Sequence, residues 1–255
     1  MEMTERSLSH PHDRIPKVPD GTRVYAIGDI HGRLDLLESL FEDICDEIRQ
    51  TPVSRPVVVF LGDLIDRGPD SRRVIERIMG GPEPKGPLAS ARYVCLRGNH
   101  EDTMLEFLAD FSVGPRWFRN GGLDAIRSYV GQVDSALAHD YPALQRLFYR
   151  ALPGSHLRFL SRNPAFHVEG DYLFVHAGIR PGIALEHQDS YDMMWMREPF
   201  LSSEEDHGKM VVHGHSIVPE PESRHNRIAI DTGAYRTGRL TCLVLDGAER
   251  RFLST

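Results

Sequence analysis

Five stretches of this 255-residue chain end in glycine-bearing turns that carry a carboxylate, an amide or an imidazole. They are Gly28-Asp29-Ile30-His31-Gly32, Gly62-Asp63-Leu64-Ile65-Asp66-Arg67-Gly68, Arg97-Gly98-Asn99-His100-Glu101, His176-Ala177-Gly178 and His213-Gly214-His215. Brought to one place, Asp29, His31, Asp63, Asn99, His176 and His215 offer carboxylate and amide oxygens beside imidazole nitrogens. That donor mixture suits manganese, iron or zinc better than calcium, which prefers an all-oxygen shell. Two ions held together need a shared ligand. A carboxylate has two oxygens with which to bridge, and Asp63 sits in the middle of the set. One Asp-x-His turn on its own is ordinary turn chemistry, but five such turns in one chain point to metal ligation.

Each turn needs an element to hold it. The run 57–61, Val-Val-Val-Phe-Leu, is β-branched and aromatic and is bounded by Pro and Gly, so it reads as a fully buried strand. A buried strand that delivers aspartates at its C-terminal end is where open α/β sheets place chemistry. Residues 23–27 and 92–96 read the same way. Helical spacing follows the first turn (Leu36, Leu37, Leu40, Phe41, Ile44, Ile48) and recurs at 71–79, where Gly80 and Gly81 stop it. A further helix begins near Asp102, and 101–163 shows helical periodicity alone. Beyond it, 165–168 and 172–175 form a hairpin about Glu169-Gly170-Asp171, followed by strands at 210–212, 227–230, 239–245 and near 251–253. The expected fold is α/β (α+β): two sheets packed face to face as a β-sandwich with helices outside. Residues 1–20, with Pro11, Pro16 and Pro19, read as a flexible leader to a single domain spanning 21–255.

Composition narrows the class. A formal charge of −7 argues against a nucleic-acid-binding surface, and no apolar run approaches the ~18 residues of a membrane span. Cys45, Cys95 and Cys242 are odd in number and lie outside any Cys-x-x-Cys spacing, as buried thiols of a reducing compartment do. A cytoplasmic enzyme is the expectation.

The five blocks, in this order from residue 28 to 215, resemble the signature set of the phosphoprotein phosphatases, dinuclear-metal serine/threonine phosphatases of the calcineurin-like metallophosphoesterase fold. The resemblance leans to the bacterial and phage branch, since no counterpart of the eukaryotic regulatory loop follows Ile228-Ala229-Ile230-Asp231-Thr232-Gly233. It implies two divalent cations, manganese first with iron or zinc as substitutes. Asp29, His31 and Asp63 would hold one, and Asp63, Asn99, His176 and His215 the other. It further implies His100 as proton donor to the leaving alkoxide, oriented by Asp66, with Arg67, Asn99 and Arg197 on the phosphate oxygens. Elementary chemistry agrees with this picture. Two cations ~3.5–4 Å apart can lower the pKa of a bridging water from about 15.7 toward 7 and clamp a phosphoryl group. Imidazole titrates near neutrality, so His100 can give a proton, and arginine forks suit phosphate.

The function so implied is removal of phosphate from phosphoserine or phosphothreonine, with phosphotyrosine as a further substrate, in protein or peptide partners. Attack would come from a metal-bridging hydroxide. The rival is a symmetrical bis(5'-nucleosyl)-tetraphosphatase, whose phosphoanhydride leaving group scarcely needs a proton. Arg97 and Glu101 around Gly-Asn-His tilt the reading to the protein phosphatase. A catalytically dead phospho-recognition module is the reading from another class, and it would show a lost ligand; none of the six is lost. His213 is assigned to packing or to support of the site, and Asp231 to a strand-end turn or to orienting a ligand histidine.

Overall fold

A computed structural model describes residues 15–255. Along the chain come β1 (Thr22–Ile27), α1 (Leu34–Gln50), β2 (Arg55–Phe60), α2 (Ser71–Met79), β3 (Arg92–Cys95) and α3 (Asn99–Ala109). A helical layer follows: α4 (Gly114–Arg119), α5 (Gly122–Val130), α6 (Ser135–His139), α7 (Tyr141–Ala151) and α8 (Gly154–Arg162). The second half holds β4 (Phe166–Glu169), β5 (Tyr172–Val175), α9 (Ser190–Trp195), β6 (Met210–His213), β7 (Glu222–Ser223), β8 (Arg227–Ala229), α10 (Ala234–Thr237), β9 (Thr241–Asp246) and β10 (Glu249–Ser254).

Two five-stranded sheets form, ordered β10-β9-β1-β2-β3 and β4-β5-β6-β8-β7. Within the first, β1, β2 and β3 run parallel; within the second, β5, β6 and β8 do. The period of two divides each strand between two cores. Val24, Ala26, Val57 and Val59 meet Phe174, Val212 and Ile228 of the facing sheet, whereas Tyr25, Ile27, Val58 and Phe60 point to the helices. A strand buried on both faces must be apolar throughout, which is why 57–61 shows no alternation. Truncating Phe60 to alanine would cost ~3–5 kcal/mol by leaving a cavity against α1. The outer face of the second sheet is closed by Met193, Met196 and Phe200 packing on Leu173, Val175 and Val211.

The C-terminal ends of both parallel sets converge. Ile30 N–H donates to the Asp63 carbonyl (3.1 Å), Gly214 N–H to that of His176 (2.8 Å) and Ile230 N–H to that of His213 (3.0 Å). All five chemistry-bearing turns therefore open on one edge of the sandwich.

Three features differ from expectation. Helix α3 begins at Asn99 rather than near Asp102, because Glu101 reaches back to the Gly98 N–H (2.9 Å) and caps the helix, so the Asn-His-Glu block is its first turn. The edge strand β7 is two residues long, too short to show a period in the sequence. From Pro16 the chain is pinned rather than loose: Val18 is fully buried, its N–H donates to the Gly247 carbonyl (3.0 Å), and Lys17 N–H donates to Asp171 (3.1 Å). The remainder of the expected leader, residues 1–14, lies outside the described residues.

Cys95 and Cys242 are buried, Cys45 is half-buried, and all three are free thiols. Among the described residues no helix is long and apolar enough to cross a membrane.

Candidate metal centre

The six donor side chains meet around Asp63. His31 Nε2 lies 3.6 Å from Asp63 Oδ2 and His176 Nε2 lies 3.4 Å from Oδ1. Asn99 Oδ1 is 2.9 Å from both His176 Nε2 and His215 Nδ1. Asp29 accepts the His215 backbone N–H at 3.1 Å. Two of the rings are oriented from behind. His31 Nδ1 is 2.8 Å from the Ile65 carbonyl and His176 Nδ1 is 3.0 Å from the Leu61 carbonyl. A carbonyl can only accept, so Nδ1 carries the proton and Nε2 presents its lone pair to the cluster.

The backbone is bent hard to achieve this. Among the described residues the non-glycine positions with positive φ are His31 (47°), Asp63 (50°), Asp66 (73°), Arg67 (66°) and His215 (61°), all of them in this site. Such conformations cost of order 1–3 kcal/mol each and persist where the surroundings over-determine them. Glycine is needed where backbone meets carboxylate: a Cβ on Gly98 would come within 2.2 Å of Asp63 Oδ1, and one on Gly214 within 2.1 Å of Asp29 Oδ1.

The charges call for cations. Asp29, Asp63 and Asp231 are buried together, and Asp29 titrates well above the ordinary carboxylate range, through burial first and then the charges of Asp231 and Asp63. Asp231 is pushed up to about 6, again by burial first. Asp63 moves the other way: against the upward pull of burial, His176, His100 and His31 hold its carboxyl low. Burial keeps His31, His176 and His215 neutral, His215 down to about 3, and neutral imidazole is the ligating form. Three buried carboxyl groups beside imidazoles, with the Nε2 lone pairs of His31 and His176 turned inward, make a donor set that fits divalent metals. The donors also fall into two compact groups sharing Asp63: one with His31 and His100, one with His176 and His215. His100 is set apart from ligation by its other neighbours.

Those neighbours orient the ring and favour its charged form. His100 Nδ1 lies 2.5 Å from Asp66 Oδ2, and Arg67 Nη2 lies 3.2 Å from His100 Nε2. Burial disfavours the charged ring, but Asp63 and Asp66 outweigh it and raise the pKa of His100. Arg67 in turn lies over the Tyr235 ring at 4.4 Å. Glu101 does more than cap α3. Its carboxylate accepts N–H groups from Asp63 (2.9 Å), Leu64 (2.8 Å) and Gly98 (2.9 Å), stapling the second turn to the third. Burial, then the Asp63 charge, push its pKa up to about 7, yet a group that meets only donors is best satisfied ionised.

A cavity of about 220 Å³ opens over the centre, lined by Asp29, His31, Asp63, Arg67, Asn99, His100, Arg197 and His215 among others. Asp66 and His176 lie buried behind it. The structure thus gathers every candidate site residue, with Arg197 Nε 3.3 Å from His215 Nε2. Of the two residues left open, His213 packs edge-on against Phe200 (5.1 Å) and is driven down to about 4 by burial. Asp231 accepts the Gly233 N–H (2.9 Å) and faces Asp29 rather than a histidine. Trp195, which with Met193, Met194 and Met196 reads in the sequence equally as core, cleft wall or substrate platform, lines the cavity. Asn120 lines it too and Trp117 supports Asp66 from below, and in the sequence the settings of these two carry no sign of this.

A model of the calcineurin-like phosphoesterases matches residues 22–237. The chain belongs to the calcineurin-like phosphoesterase family. Members use a dinuclear divalent metal centre, and this chain is a metal-dependent phosphoester hydrolase. Among curated relatives, a bis(5'-nucleosyl)-tetraphosphatase PrpE [asymmetrical] from Oceanobacillus iheyensis is 25% identical across 86% of this chain and 87% of its own. The protein of that name from Bacillus subtilis (strain 168) is 27% identical across 84% and 87%. Among solved structures, one provisionally named a diadenosine tetraphosphatase superposes with a TM-score of 0.61 at 20% identity, covering 94% of this chain and 98% of that one. A cold-active protein tyrosine phosphatase superposes at 0.51 with 16% identity, covering 94% and 82%. These structural likenesses show the calcineurin-like fold. The names of the sequence relatives agree with the nucleotide alternative rather than with the serine/threonine branch, and their "asymmetrical" label differs from the symmetrical enzyme expected.

Proposed function

We propose that this protein hydrolyses phosphomonoesters, with phosphoserine and phosphothreonine in proteins as substrates and His100 as the general acid. The observation that carries this reading is the His100–Asp66 contact of 2.5 Å beside the carboxylate cluster. A phosphoseryl ester leaves as an alkoxide, a poor leaving group that needs a proton as the phosphorus–oxygen bond breaks. An oriented imidazole aimed into the cavity supplies it. Asp66 accepts Nδ1–H, which leaves Nε2 to deliver the proton; Arg67 reaches the same point, and Arg197 the far side, to hold phosphate oxygens. Asp29, His31, Asp63, Asn99, His176 and His215 would hold two divalent cations, manganese in our reading. When bound, these acidify a water and offset negative charge on the phosphoryl oxygens.

A second reading, hydrolysis of dinucleoside polyphosphates, is favoured by the names of the full-length relatives and by one observation at the cavity mouth. Trp195 lines the cavity and is stacked by the exposed Tyr191 (centroids 5.9 Å, 20° between planes), a surface a nucleobase could extend. Hydrolysis of a phosphoserine peptide, read as released phosphate, and of diadenosine tetraphosphate, read as released mononucleotides, measured on one manganese-loaded preparation, decides between them. A kcat/KM on the tetraphosphate ~100-fold above that on the peptide would sink the first reading.

A further inference from the structure

We propose that Trp117, in the helical layer, is a positioning residue for the proton donor and acts through Asp66. The inference rests on the reading of His100 as general acid and extends it to a part of the chain that carries none of the five blocks.

Asp66 Oδ2 accepts from His100 Nδ1 (2.5 Å) and also from Trp117 Nε1 (2.8 Å), while Oδ1 is buried without a partner. A carboxylate with one idle oxygen is free to turn about its last bond and show His100 either oxygen, or neither. The indole removes that freedom. It is fully buried and packs on Phe107 (5.0 Å) and Phe148 (5.9 Å), so its N–H is fixed in direction by the core of the layer. The neighbouring turn is shaped to let it in: a Cβ on Gly122 would fall 2.4 Å from the ring. The same turn holds the residue after Asp66, since Arg67 N–H donates to the Gly121 carbonyl (3.3 Å) and Arg67 Nε to that of Asn120 (3.4 Å). One turn of the layer thus aligns both the partner of the acid and the guanidinium beside it. Two donors on Oδ2 hold the carboxylate in place as acceptor, keep the His100 proton pair in one tautomer, and aim Nε2 at the cavity.

The test separates positioning from packing by leaving group. Trp117→Phe keeps an aromatic ring and removes the N–H. Turnover is measured on 4-nitrophenyl phosphate, whose leaving group scarcely needs a proton, and on an alkyl phosphate, which does. We expect kcat on the alkyl ester to fall tenfold or more with KM and metal content unchanged, and kcat on the aryl ester to fall less than about threefold. Benzothienylalanine at 117, which has the shape of indole and no N–H, gives the same pattern if Trp117→Phe folds poorly. Leu160→Ala, a fully buried core position of α8, should cost stability and leave the ratio of the two rates unchanged. An equal loss on both esters, or none, overturns the role of the indole. His100→Asn is run alongside: a flat leaving-group response there removes the acid itself, whereas a steep response with a flat Trp117→Phe removes only this inference.

Discussion

The strand-end turns and the helical layer both shape the site, and they do so by opposite means. The turns bring the candidate metal-binding groups: Asp29, His31, Asp63, His176 and His215 project into one cluster at the sheet edge. The layer from α4 to α8 contributes no ligand. It supplies rigidity, through a buried indole on Asp66 and two carbonyls on Arg67. A turn residue is replaceable only by another donor of the same chemistry, while a residue of the layer is constrained by shape and by one hydrogen bond. The comparison predicts that changes in the turns abolish chemistry and that changes in the layer redistribute it.

The largest effect should come from the shared carboxylate. Asp63→Asn is predicted to lower turnover on the order of a thousandfold and to strip metal, as a chelator should from the native protein. Elemental analysis showing full metal content in that variant would contradict a bridging Asp63. Next is His100→Asn, predicted to cost ~100-fold or more on an alkyl phosphate while metal content is largely spared. Near-normal turnover would assign the proton to another group. At the junction of the two regions, Glu101→Gln brings an amide against N–H groups that now meet a carboxylate. The expected loss is ~1–3 kcal/mol of stability, read from the denaturant midpoint, with metal affinity weakened ~10-fold or more. An unchanged midpoint would mean that the staple is idle. The smallest effect belongs to the rim: Trp195→Leu should raise KM for diadenosine tetraphosphate by ~5-fold or more and leave the phosphopeptide KM alone. Equal changes on both substrates would remove the stacking argument from the second reading.

How much of this was legible depended on whether function dictated residue type locally. The three glycine-flanked turns after β1, β2 and β3 announce themselves, because apolar runs stop abruptly at carboxylates and imidazoles that a buried sheet edge would not otherwise carry. The sandwich with outer helices was legible for the same reason, as short continuous apolar runs and stretches of period 3.6 succeed one another through the first half. The start of α3 at Asn99 was missed because Glu101 reads equally as a surface acid or a cap; only its burial against the Asp63 turn distinguishes them. Val18 was missed because three prolines among charges look like a tail, and its burial requires the β9–β10 turn to lie beside it.

The sequence by itself determined the order of the turns, the strands that aim them and the carboxylate, amide and imidazole types they bring together, since a buried strand end restricts residue type at the position concerned. Tertiary structure alone decided which oxygen of Asp66 faces His100, why Glu101 is buried, and that Trp117 and the Gly121 carbonyl belong to the site. Those contacts join residues 51 and 54 positions apart in the chain (117 less 66, and 121 less 67), and a hydrogen bond across such a distance leaves no local pattern. An indole in an apolar helix looks the same in sequence whether its N–H is idle or holds the partner of an acid.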